Sequence, residues 1–61
     1  MNNWISVKDR LPEVGIMVIC FEGLYMYIGY IKSNKSWVNG DFVTTRVTHW
    51  MPLPEPPAEV P

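Results

Sequence analysis

Sixty-one residues with five Lys or Arg against six Asp or Glu, one His and one Cys make one small domain of near-neutral charge. The scattered cations exclude the electrostatic footprint of a duplex nucleic-acid binder, and the lone Cys20 excludes an intrachain disulfide. No apolar run approaches the ~20 residues that span a bilayer, and Cys20 with His49 is too small a set of soft ligands for a four-coordinate metal site.

The first predicted element is Trp4-Ile5-Ser6-Val7, whose aromatic and β-branched content favours extended structure. Lys8 to Glu13 reads as a polar connection with at most one helical turn. Pro12 biases Leu11 away from the helical region, and Leu11 is expected to be its apolar anchor. Ile16 to Phe21 is the clearest strand and is apolar throughout, which predicts burial on both of its faces. Glu22-Gly23 then breaks the chain, and a second strand runs from Leu24 to about Ile31, forming a tight hairpin.

Lys32 to Lys35 is a polar turn, and Ser36-Trp37-Val38 resumes extended structure. Asn39-Gly40 is a strong two-residue hairpin signal, with Asp41 to Arg46 as the return arm or a loop. Val47 to Met51 is a last short strand ended by Pro52. Nothing repeats at the helical i, i+3, i+4, i+7 spacing over ten residues. The pattern predicts an all-β fold, a small twisted antiparallel meander of three to five strands curled toward a barrel. Residues 1–57 form the domain and 58–61 a frayed end.

Four of the six prolines fall between Pro52 and Pro57, where each fixes φ and removes a backbone donor. The segment must be extended. It is read as a strap laid across Trp4, Trp37 or Trp50, against the alternative of a P-x-x-P ligand offered to a partner.

Few residues suggest chemistry. A nucleophilic Cys20–His49 pair lacks an orienting third group, and the carboxylates all fall in turns or near the termini. The glycines are isolated, so no phosphate loop is present. Tyr25, Tyr27, Trp37 and Phe42 could stack on single-stranded nucleic acid or a nucleotide-like ligand, with Lys32, Lys35 and Arg46 on its phosphates. The same aromatics could instead form the core and the cross-strand pairs of a small sheet. A chain this short buries only ~60% of its unfolded surface, so dense aromatic packing or self-association must stabilise it, and a homo-oligomer is expected.

Two segments taken together resemble a known family. Trp4-Ile5-Ser6-Val7-Lys8-Asp9-Arg10-Leu11-Pro12 and Val47-Thr48-His49-Trp50-Met51-Pro52-Leu53-Pro54-Glu55-Pro56-Pro57 are similar to the bookends of the small phage and prophage domain-of-unknown-function family 551. The resemblance covers nearly the whole chain. It implies a phage-encoded protein of the bacterial cytoplasm and brings no catalytic residue. It also implies that the two ends pack together, with Trp4, Leu11, Pro12, Trp50, Pro52 and Pro54 as a clasp. The expected function is therefore non-enzymatic binding to a host component, without cofactor. The alternative is an oligomer that holds a nucleotide-like ligand.

Overall fold

A computed structural model of the protein describes residues 3–57, so the expected fraying of 58–61 lies outside the described residues. Six strands form one antiparallel sheet. They are β1 (Ile5–Ser6), β2 (Val18–Glu22), β3 (Tyr25–Ile31), β4 (Trp37–Asn39), β5 (Phe42–Thr44) and β6 (His49–Pro52). Their spatial order is β1-β6-β2-β3-β4-β5. The antiparallel all-β class expected from the sequence is what forms. The sheet has one strand more than the expected range, because the 41–46 segment supplies β5, and it stays open.

Strands β2 to β5 are a meander joined by tight turns. Register pairs Glu22 with Tyr25 and Asn39 with Phe42, so the loops are Gly23-Leu24 and Gly40-Asp41. Each loop opens on a glycine with positive φ, 60° and 59°, a conformation that costs glycine nothing in sterics. Leu24, expected to begin a strand, instead stands at the tip of the first hairpin, 94% exposed. β2 starts two residues later than its apolar run. Gly15 takes φ 84° and Ile16 N–H bonds back to the Glu13 carbonyl, which holds that stretch in a turn.

β6 leaves the meander. The chain returns from β5 across the sheet, buries Val47 in the core and bonds Thr48 N–H to the Phe21 carbonyl at 3.0 Å. β6 then slots between β1 and β2, pairing Trp50 with both Ile5 and Cys20. Pro52 can close this strand because β1 reaches only His49 and Trp50, so the proline has a neighbour on one side alone.

Alternation along each strand and register between strands divide the side chains into two faces. The first, the core face, carries Val18, Cys20, Ile31, Trp37 and Trp50, which cluster with Val47 and are all buried. Ile5, Val7 and Tyr27 pack around them. Gly29 sits on this face opposite Val18, and a Cβ there would collide with the Val38 carbonyl oxygen. Glycine lets the β4–β5 hairpin approach β3 closely, which is a packing requirement and needs no unusual φ.

The ends of the chain meet at Trp50. Its indole Nε1–H donates to the Arg10 carbonyl at 3.0 Å, and the Arg10 guanidinium lies 5.8 Å from the ring centroid. This contact directs the connection after β1, and two residues further Pro12 turns inward and is buried. Leu11, the expected anchor, points away and is 40% exposed. The proline segment after Pro52 is extended and exposed, and with Pro12, Ile16 and Met17 it walls a groove floored by Trp50. Trp4 lies elsewhere: it packs on Phe21, on the opposite face of the sheet, at 5.6 Å between centroids. Trp37 is sealed in the core.

Candidate functional site

The β2–β3 hairpin projects beyond its neighbours. β4 pairs with β3 only at Tyr30 and Ile31, so the start of β3 runs past the β4–β5 turn. Leu24, Tyr25 and Met26 stand there in succession at 94%, 72% and 66% exposure. In a half-buried strand one of any two neighbours should turn inward and be covered. Here neither is, because the strands that would cover them end earlier.

Beside this tip lies a cleft of about 330 Å³ lined by Glu22, Tyr25, Met26, Tyr27, Asn39 and Phe42. Each wall has a local cause. Glu22 and Tyr25 are the last pair before the hairpin loop, and Asn39 and Phe42 are the last pair before the next one. The two hairpin ends therefore face each other. Phe42 meets Tyr27 edge-on, with centroids 6.2 Å apart and planes at 90°, the geometry favoured by the ring quadrupoles. Asn39 ties the hairpins together by donating from Nδ2 to the Ile28 carbonyl.

Two other polar side chains of the cleft bond each other. Tyr27 Oη–H donates to Glu22 Oε1 at 2.7 Å. Burial, and then the adjacent carboxylate, push the Tyr27 phenol well above its ordinary value of 10.0. The phenol is thus held neutral and already committed as a donor, so it presents its ring to an incoming group. A second hollow continues from Glu22 and Phe42 along Thr44, Thr45 and Arg46.

Of the residues expected to form a ligand site, Tyr25, Tyr27 and Phe42 share the cleft and Arg46 borders its continuation. Trp37 and the two lysines, Lys32 and Lys35, do not line it. Trp37 is 3% exposed because its register opposite Ile31 places it on the core face. Lys35 belongs to the turn beyond the far end of β3, whose six residue steps from Tyr25 to Ile31 span ~20 Å. It adopts φ 70° there, its N–H bonded to the Lys32 carbonyl, while Asn34 Oδ1 accepts from Ser36 N–H and Oγ–H. A nucleotide held by Tyr25 and Trp37 with Lys35 on its phosphates is not what this geometry provides.

The Cys20–His49 pair does not form either. Cys20 is opposite Trp50 on the core face, fully buried, and burial raises its thiol pKa. His49 is on the other face, edge-on to Phe21 at 6.2 Å and 2.9 Å from Thr48 Oγ1. Among the described residues no three of His, Cys, Asp and Glu come together as metal ligands would.

Sequence reasoning singled out Phe42 but passed over Leu24, Met26, Glu22 and Asn39 as site residues. The available signal was the glycine-marked turn at each hairpin end, with aromatic residues directly beside it. What it lacked was the relative length of the strands, which decides that the two ends face each other.

The family model described as "Protein of unknown function (DUF551)" matches residues 3–58. The chain is also 43% identical, over 65 residues, to an uncharacterized 7.8 kDa protein in the ral-gp17 intergenic region of Salmonella phage P22. That match covers 92% of this chain and 97% of the phage protein. No solved structure matches at a significant level.

Proposed function

The chain belongs to the DUF551 family, a phage family of unknown function, and on that premise we propose that it acts by binding a host protein in the bacterial cytoplasm rather than by catalysis. The observation that carries this reading is the exposed tip Leu24-Tyr25-Met26 beside the Tyr27–Phe42 cleft. Tyrosine and methionine are enriched where proteins dock, and aromatic rings in a partly desolvated pocket supply most of the energy of such contacts. Leu24 and Met26 add apolar reach at the tip, and Asn39 adds an amide at the rim.

The alternative, a nucleotide-like ligand, is less well served. The cleft holds the Glu22 carboxylate, which repels phosphate, and the nearest cation lining the continuation is Arg46 alone. A phosphate-bearing ligand needs several donors or cations converging on it.

The test is affinity capture of host-cell protein on the purified chain and on Tyr25→Ala. Because Tyr25 is 72% exposed, its truncation leaves the fold intact. The expected result is one stoichiometric host protein retained by the first and lost from the second. Folded protein that retains none, or retains the same one after Tyr25→Ala, overturns the reading. Saturable nucleotide binding lost in Arg46→Ala would favour the alternative.

A further inference from the structure

The sheet face opposite the core is also apolar. Register aligns Ile28, Ile19 and Met51 in one row across β3, β2 and β6, and Met26, Phe21 and His49 in the next. Tyr30, Val38 and Val43 continue the face across β4 and β5. No Lys, Arg, Asp or Glu stands on it within the strands. A one-layer antiparallel sheet normally turns polar residues to water on its second face. This face instead leaves Met26, Ile28 and Val43 at 66%, 48% and 57% exposure, while Val38 is buried and Trp4 covers Phe21 at one corner.

A sheet apolar on both sides needs a layer on both sides. From strand spacing and rise the face measures roughly 20 by 20 Å, the scale of the smaller and weaker specific interfaces.

We propose that a second copy of this chain covers the face, two sheets stacking about a two-fold axis that passes near Ile19. The uncharged rows fit this occupant. A two-fold interface sets a patch against itself, so any charge near the axis would meet its own like. Ile19, Ile28 and Met51 present none. Two such faces interdigitate at the ~10 Å separation of a β-sandwich and give each chain the second layer that its own 61 residues do not supply. Tyr25, Tyr27, Asn39 and Phe42 stand on the other side of the sheet, so of the proposed host-binding residues only Met26, at the edge of the face, is shared with the pairing surface. The proposal is independent of that site's occupant.

Sedimentation velocity of the full chain tests it, from about 1 to about 200 µM, where an interface of this size reports. The expected species has twice the chain mass. Ile28→Lys places a charge in the central row and is expected to weaken association at least ten-fold, with unchanged tryptophan fluorescence. If Ile28→Lys does not fold, Met51→Lys, in the same row, is the reading variant. A wild-type chain that stays single throughout overturns the proposal. So does a dimer that survives the central-row lysine, which would mean edge pairing through β5. Tyr25→Ala is expected to remain dimeric, so loss of a host partner and loss of the dimer are separable results.

Discussion

The two faces of this sheet have almost the same apolar character and quite different fates. On the core face, Ile31 and Trp37 are a cross-strand pair at 2% and 3% exposure. On the outer face, Ile19 and Ile28 are an equivalent pair, yet Ile28 is 48% exposed. The side chains have similar transfer energies, so hydrophobicity does not decide which is buried. The chain's connections decide it: the β5–β6 return delivers Val47 to one face, and the link from β1 to β2 brings Pro12 to the same side. One face receives a continuous roof, while the other is covered only in part, at Phe21 by Trp4 and at the buried Val38.

Truncating an isoleucine on each face tests this asymmetry most directly. Ile31→Ala is expected to cost about 2–5 kcal/mol, the cost of a cavity in a closed core, and to unfold much of a domain this small. Ile28→Ala should cost under about 1 kcal/mol when urea unfolding is followed at submicromolar chain concentration. Equal losses at that dilution would erase the distinction between the faces. A larger Ile28→Ala loss at high concentration alone would sharpen it, since burial would then come from a partner.

Trp50 anchors the roof. Trp50→Phe keeps a buried ring but deletes the Nε1–H bond to the Arg10 carbonyl, and about 1–2 kcal/mol of stability should go with it. Thermal unfolding reads this as a fall of several degrees in Tm. An unchanged Tm would mean that the connection before Pro12 is held without the indole.

The smallest effect is expected at Lys35, far from both faces. Its φ of 70° strains a side-chain-bearing residue, so Lys35→Gly should raise stability by about 0.5–1 kcal/mol. A clear loss in chemical denaturation would show that the lysine side chain makes a contact worth more than the strain.

Much of the fold was legible in the residues themselves. Gly23 and Gly40 mark both tight turns, and the uninterrupted apolar run through Val18 to Phe21 announces a strand apolar on both sides. The two bookend segments pair as β1 and β6, and Trp50 bonds the Arg10 carbonyl. Leu11 was the natural choice of anchor by hydrophobicity, but the Arg10–Trp50 hydrogen bond fixes the chain direction and gives the inward position to Pro12. Trp37 was equally plausible as a stacking platform and as core. Nothing local distinguishes those roles, because both need an aromatic residue in an extended segment.

The cleft illustrates the same division. Tyr25 and Tyr27 were visible as candidates because they alternate beside a turn. Phe42 was visible as a further aromatic, but Asn39 entered only when the second hairpin was placed against the first, at the approach that Gly29 permits. Lys35 left the site for the converse reason, since a seven-residue strand separates two turns that are close in sequence.

Strand identity, turn positions and the all-β class follow from the sequence by itself, since backbone sterics and apolar alternation act over a few residues. The insertion of β6 between β1 and β2, the choice of which apolar face is roofed, and the meeting of two hairpin ends belong to the tertiary structure alone. They depend on chain crossings and relative strand lengths, which no short window of residues contains.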